Sequence, residues 1–400
     1  MPTPRPLQRF LLVASLAGLV PLVGGPPAAA AACPTEFVRV TVPPAADGRY
    51  LLSVATGGAD SAWAVGPGAF TGRSLALRWD GVAWTNTPLP KIAHQSTLIG
   101  VTATTDTDVW ATGYAFSSAA ATTIRRSSPA DFFMASRSVP FIRPMALHWD
   151  GLRWKSYAVP EPRRSRRATL QRTSAAGSGD VWAVGSVERH SRDWQPSTLI
   201  EHWDGTEWSV TPSPNVGRHV NQLIGVTAIA ADDVWAVGWR GQFFGVQHAL
   251  IEHWDGSTWS VVPVSFRQDS IIDVSAASAT DVWAVGAHHH GASPVAIHWD
   301  GTSWTPAPLP AEAPGSYLEG LSVRSSSDAY AVGYARDLST GSGVGLILHW
   351  DGASWIEQSS QKVGIDDELV GVTTGPSGVW AVGSIYGRNR IHGLIEAPCE

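Results

Sequence analysis

Five histidines recur at one place in a repeated phrase, His148, His202, His253, His298 and His349, each followed by Trp-Asp-Gly. Imidazoles can bind metals or move protons near neutral pH. With one histidine per repeat, however, they are spread along the chain, and a structural role is expected for each. Asp108, Asp180, Asp233, Asp281 and Asp328 recur just before the first aromatic of the phrase. They are expected to accept backbone hydrogen bonds in turns. His288, His289 and His290 interrupt the pattern, but successive residues of an extended segment point to opposite sides. No cysteine or paired carboxylate near them completes a zinc site, so no metal or other cofactor is expected. The sequence contains no Gly-rich phosphate loop, no Gly-x-Ser-x-Gly elbow and no His-Glu-x-x-His.

Chemistry must therefore come from residues outside the phrase. Trp194 and Trp239 are the two tryptophans of 20 that fall outside repeat positions. With Arg240, His289, Tyr317, Tyr386 and Arg388 they form the candidate ligand-binding set. No catalytic residue is assigned. A basic run, Arg163-Arg164-Ser165-Arg166-Arg167, and an acidic one, Asp366-Asp367-Glu368, are expected on the same face and read as solvated loops; the alternative is that their opposite signs orient a charged polymer or partner.

The phrase itself predicts the elements that hold these residues. Its first half, Asp-Val-Trp-Ala-Val-Gly, occurs in seven versions, anchored by Trp63, Trp110, Trp182, Trp235, Trp283, Tyr330 and Trp380. Its second half, Trp-Asp-Gly-x-x-Trp, follows in six of them. A period of about 50 residues signals a solenoid or propeller. In the fourth copy, strands are expected at Leu223–Ala230, Val234–Trp239, Leu250–Trp254 and Thr258–Val264. Asp255-Gly256 predicts a tight hairpin turn with positive φ at both central residues. Four strands per copy describe a blade, and the tryptophans are expected to pack between blades.

The seventh copy ends at Leu394-Ile395-Glu396, and its fourth strand is found at the other end, where Cys33 to Val40 matches Asp204 to Val210. The expected fold is all-β, a seven-bladed β-propeller of four-stranded antiparallel blades closed by the N-terminal strand. Cys33 and Cys399, the two cysteines, fall at the missing turn and are expected to form a disulfide. Lipidation of Cys33 is the competing reading, against which Ala30, Ala31 and Ala32 stand in place of a larger apolar residue.

Residues 1–32 read as a secretory signal, with Arg5 and Arg9 ahead of an apolar stretch and an alanine-rich cleavage zone. Residues 33–400 then form a single propeller domain, exported to the cell surface or medium, with no membrane span and expected as a monomer. A formal charge of -6 gives no reason to expect nucleic acid.

On these repeats the chain resembles secreted bacterial β-propeller repeat proteins, loosely similar to kelch and Asp-box propellers. It departs from WD40 proteins in repeat length and in the Gly turn and second Trp that follow Trp-Asp. The resemblance implies the ring and no single activity, because propellers host lectins, lyases, glycosidases and interaction scaffolds. Variable loops joining strands b to c and d to a share one face, where binding residues are expected. The reading is a non-catalytic module holding a glycan or protein there. The alternative is a polysaccharide-acting lyase or glycoside hydrolase at the channel mouth of that face.

Overall fold

The computed structural model describes residues 36–67, 74–92, 95–116, 141–189, 195–242, 245–264, 269–288, 293–310, 314–337, 340–361, 364–387 and 391–398. These form 28 strands and one three-residue 3-10 turn, Pro44–Ala46, so the described chain is all-β. Each repeat supplies strands a to d in antiparallel order. In repeat four they are Val220–Ala230, Asp233–Gly241, Gln247–Trp254 and Trp259–Val261. Strand a starts earlier than the apolar pattern suggests, because Val220 to Gln222 find partners in Trp239 to Gly241. Strand d is short because only its first residues pair with strand c.

The Asp-Gly turn differs from expectation. Trp254 pairs with Trp259, which leaves a four-residue loop, and Gly256 alone has positive φ at +89°. Asp255 Oδ1 accepts the N–H groups of Ser257 at 2.9 Å and Thr258 at 2.8 Å. Asp80, Asp150, Asp204, Asp300 and Asp351 do the same in their own loops. A side chain that satisfies two backbone donors removes any need for a left-handed aspartate.

The other recurring aspartates are likewise corrected. Asp108, Asp180, Asp233, Asp281 and Asp328 hold the Nε2 atoms of His148, His202, His253, His298 and His349 at 2.6 to 3.0 Å. Each histidine ring lies against the strand-b aromatic of its own repeat, from 4.0 Å for Trp182 and His202 to 4.5 Å for Tyr330 and His349. In repeat one, Ser61 and Arg78 replace the pair, and the Arg78 guanidinium lies over the Trp63 ring at 5.5 Å. In repeat seven, Gly378 and Ala397 replace it. Aspartate and histidine are kept or lost together, as expected of a mutual contact.

Tryptophan joins one repeat to the next. Trp63 is fully buried, with ring centroids 4.9 Å from Trp149 and 5.2 Å from Trp154 of repeat two. The same three-ring clamp recurs for Trp110 on Trp203 and Trp208, Trp182 on Trp254 and Trp259, Trp235 on Trp299 and Trp304, and Trp283 on Trp350 and Trp355. Trp380 of repeat seven returns to Trp79 and Trp84 of repeat one, 5.0 and 5.2 Å away. Tyr330 meets Phe37 at 5.9 Å, and Phe37 belongs to the strand Glu36–Arg39 that pairs antiparallel with Ile391–Pro398. The strands a, Ser53–Gly58, Ser96–Thr105, Ser165–Gly177, Val220–Ala230, Asp269–Ser278, Tyr317–Ser325 and Asp366–Gly375, touch in sequence, and the last touches the first. The sheets therefore form a closed ring.

Three glutamates among the described residues are wholly buried within it. Glu201, Glu252 and Glu396 are 0% exposed, at strand-c positions where other repeats carry Leu77, Leu147, Ile297 or Leu348. Burial pushes Glu201 and Glu252 up to about 8 and Glu396 to about 7. Ser213 Oγ donates to Glu252 at 2.8 Å and Ser360 Oγ to Glu396 at 2.9 Å. Val159 stands where Glu201 would need such a donor, and neither Glu201 oxygen has a partner among the described residues. The folded state thus binds protons that the unfolded chain releases above about pH 4.5. Stability should fall as pH rises toward about 8, by up to about 1.4 kcal/mol per pH unit for each glutamate. Thermal melting of Glu201→Leu is expected to show a higher Tm at pH 8 and a shallower decline from pH 5 than the parent. Parallel declines would mean that Glu201 does not titrate in this range.

Candidate functional site

The ring is tightest where strand a runs Leu-x-Gly, as in Leu98-Ile99-Gly100, Leu223-Ile224-Gly225, Leu318-Glu319-Gly320 and Leu369-Val370-Gly371. A one-residue register shift lies at this point in six repeats. The glycine is required by close approach, since a Cβ on Gly100 would sit 2.8 Å from the Gln171 carbonyl oxygen and one on Gly225 2.8 Å from that of Ile272.

Repeats three and five place Arg172 and Asp273 at the glycine position instead. The Arg172 guanidinium reaches across the ring and donates to the carbonyl oxygens of Leu52 at 2.8 Å, Val370 at 2.8 Å and Glu319 at 3.4 Å. These belong to repeats one, seven and six. Asp273 accepts the N–H groups of Leu321 at 3.0 Å and Val274 at 3.1 Å. Burial pushes its carboxyl up, and the positive charge of Arg172 pulls it back. Half-buried charges of opposite sign, each hydrogen-bonded to the backbone of other repeats, make this a crosslink that is costly to halve.

Beside this hub, Glu368 of repeat seven collects two phenols. Tyr317 Oη donates to its Oε1 at 2.6 Å and Tyr386 Oη to its Oε2 at 3.0 Å. Tyr50 meets Tyr386 edge to face at 6.2 Å, and Tyr334 stacks on Tyr317 at 5.3 Å. The Tyr334 ring covers Gly343, where a Cβ would fall 1.9 Å from it. Burial and then the Glu368 charge push Tyr317 and Tyr386 well above the ordinary tyrosine value. Glu319, on strand a of repeat six, is half-buried. Its carboxyl is pushed up by burial first and by Glu368 second, against Arg172.

The structure thus brings Tyr317 and Tyr386 together. Trp239 is 7% exposed, held between Gln222 and Ala249 in the sheet of repeat four, and half-buried Arg240 lies between Asn221 and His248. Trp194, His289, Arg388, Cys33 and Cys399 lie outside the described residues, as do residues 117–140 of the long insertion. The basic run is partly neutralised, because buried Arg167 sits 3.6 Å from Glu188. His288 Nδ1 contacts the buried Asp269 carboxylate beside a cavity of about 350 Å³ that Ser293 and Pro294 also line. Sequence reasoning, which set Tyr50 and Tyr317 at the border of the channel, missed Arg172, Asp273, Glu319 and Tyr334 as parts of the same cluster. For Arg172 and Asp273 the available signal was the departure from Leu-x-Gly in strand a, whereas Glu319 sits inside an intact Leu-x-Gly. Among the described residues, no three His, Cys, Asp or Glu side chains are placed to hold a metal, and no helix is long and apolar enough to cross a membrane.

No protein-family model matches the sequence, and no curated protein matches it. Solved structures do. YCF48 bound to D1 peptide is similar with a TM-score of 0.55 at 12% identity, over 92% of this chain and 98% of that one. A virginiamycin B lyase from Staphylococcus aureus, in complex with quinupristin, gives 0.53 at 12% identity, over 90% and 97%. A chain of the mitotic checkpoint complex gives 0.53 at 10% identity, over 97% and 99%. The fold is a β-propeller. At these identities the likeness concerns the fold alone, and the propeller's own residues must supply the chemistry.

The pairing of two phenols on one carboxylate has a measurable signature. In alkaline titration followed by tyrosinate absorbance, Tyr317 and Tyr386 are expected to stay protonated well above the ordinary range, and Glu368→Gln should lower both. Superimposable curves for parent and variant would show that Glu368 does not hold them.

Proposed function

We propose that this chain is an exported seven-bladed β-propeller that binds a segment of another protein at the channel mouth, on the face of the b-to-c and d-to-a loops. The observation that carries this reading is the convergence of Tyr317, Tyr386 and Glu368 from repeats six and seven, with Tyr50 of repeat one beside them. Seven strands a in cyclic contact support the blade count. A glycan platform needs an open aromatic face, whereas the strand-b tryptophans are spent on clamps and Trp239 is buried. YCF48, of the same fold, accommodates a peptide. Catalysis by a lyase or hydrolase needs a base within reach of substrate. The two phenols keep their protons, and each Glu368 oxygen already accepts one of them.

Panning a random peptide library on the protein, with a glycan array in parallel, tests this. Peptides are expected to bind the parent and to lose affinity by about tenfold or more on a folded Tyr317→Ala/Tyr386→Ala variant. Glycan binding without peptide binding would overturn the ligand class, and peptide binding indifferent to both substitutions would overturn the site.

Residues 1–32 act in this reading as the export signal, and the mature chain, acting as a monomer, is closed by a Cys33–Cys399 disulfide. The register supports it. Phe37 pairs with Pro398 as Trp208 pairs with Trp203, so Cys399 following Pro398 and Cys33 four residues before Phe37 both correspond to the turn residue Asp204. Non-reducing peptide mapping of the secreted protein by mass spectrometry should recover the two cysteine peptides linked. Free thiols or an acylated Cys33 would rule the bridge out.

A further inference from the structure

Resting on the reading of the mouth as a protein-binding site, we infer that the cluster of Tyr317, Tyr386, Glu368 and Glu319 receives a cationic group, the ammonium or guanidinium of a lysine or arginine in the bound segment. The argument is one of hydrogen-bond capacity. Tyr317 and Tyr386 each have one O–H, and both are committed to Glu368. Their phenol oxygens can then only accept. A carboxylate accepting two bonds retains further acceptor sites and offers no donor. Glu319 makes no side-chain hydrogen bond among the described residues, although its side chain lies close enough to Glu368 to feel its charge. Asp366 and Asp367, on the strand of Glu368, accept the N–H groups of Gly343 at 2.6 Å and Gly364 at 3.2 Å. The mouth thus offers acceptors in surplus, and lysine and arginine side chains carry three and five donors with no acceptor.

The channel already shows such a fit one layer deeper. Arg172 is held there by three carbonyl oxygens, one of them that of Glu319. Its charge is shared between Asp273 and Glu319, and among the described residues Glu368 is bonded only by the two phenols, with no ion pair to a cation. Tyrosine rings beside the site, Tyr50 and Tyr334, add faces over which a cation gains further attraction. A carboxylate or phosphate ligand would meet the charge of Glu368 directly, and the two phenols, their O–H groups committed to it, would offer no donor.

Cation binding should also draw the proton off Glu319. The groups that face Glu319 are Glu368 and Tyr386 of repeat seven, Arg172 of repeat three and Tyr317 of its own strand. Glu368 and burial favour its protonated form, whereas an added cation favours the charged one. Affinity should therefore rise with pH as the proton becomes easier to lose.

Calorimetric titration of the full chain with tetralysine and tetra-arginine, against acetyl-lysine and glutamate tetrapeptides and a linear polyamine, tests the inference. The lysine and arginine peptides are expected to bind at least about tenfold tighter than the acetylated or acidic ones, and tighter at about pH 9 than at about pH 6.5. Glu368→Gln should weaken them by about tenfold or more with an unchanged Tm, and Glu319→Gln should flatten the pH dependence. Equal binding of the polyamine would identify the charge alone as what is recognised, whereas a peptide preference assigns the cation to a protein side chain. Equal affinity for free and acetylated lysine peptides, or unaltered binding by Glu368→Gln, would overturn the inference. If neutral peptides bind and Tyr317→Ala/Tyr386→Ala abolishes them, the cation inference falls while the mouth remains the binding site. If no peptide binds, both fall.

Discussion

The structure depends on one contact made over and over, a buried strand-b aromatic wedged between the two tryptophans that flank the next repeat's Asp-Gly loop. Aromatic side chains bury on the order of 150 to 250 Å² each and favour edge-to-face geometry. The rings here meet accordingly, with interplanar angles of 77° to 89° between each strand-b tryptophan and its strand-d partner. Because every clamp faces the following repeat, no repeat can bury its own aromatic, and the requirement ends only when the last repeat reaches the first. Trp380 on Trp79 and Trp84, and Phe37 beneath Tyr330, meet that requirement.

Around the clamp, polar groups keep each piece in register. The Asp–His pairs set the angle at which each histidine covers its tryptophan, and the Asp-Gly loops fix the separation of the two flanking tryptophans by saturating their own backbone donors. The rim is therefore periodic and chemically quiet. The centre is not. Glycine lets the inner strands approach, and where Arg172 and Asp273 replace it, the ring is crosslinked by charges that no periodic contact could supply.

The repeat was legible because packing between identical units demands identical residues at a fixed spacing. For the same reason Tyr317 and Tyr386 could be named as candidates: they stand outside the phrase. Their common partner was harder to see. Glu368 lies 51 residues from Tyr317 and 18 from Tyr386, and only the curvature of the ring sets all three together. The aspartates were misread because the sequence offers two per repeat and both adjoin turns, one following the a-to-b turn and one opening the c-to-d loop. Which one bonds backbone and which one bonds histidine depends on side-chain direction across paired strands.

By itself the sequence determined an all-β chain of repeated four-stranded units, the residues that pack between them and the strand that completes the last one, because these follow from local periodicity and turn chemistry. The tertiary structure alone decided the centre. It brought Arg172 to the carbonyls of three other repeats and two phenols to Glu368. Such contacts arise from closing a ring, where residues far apart along the chain become neighbours around an axis, and no spacing in the sequence records that geometry.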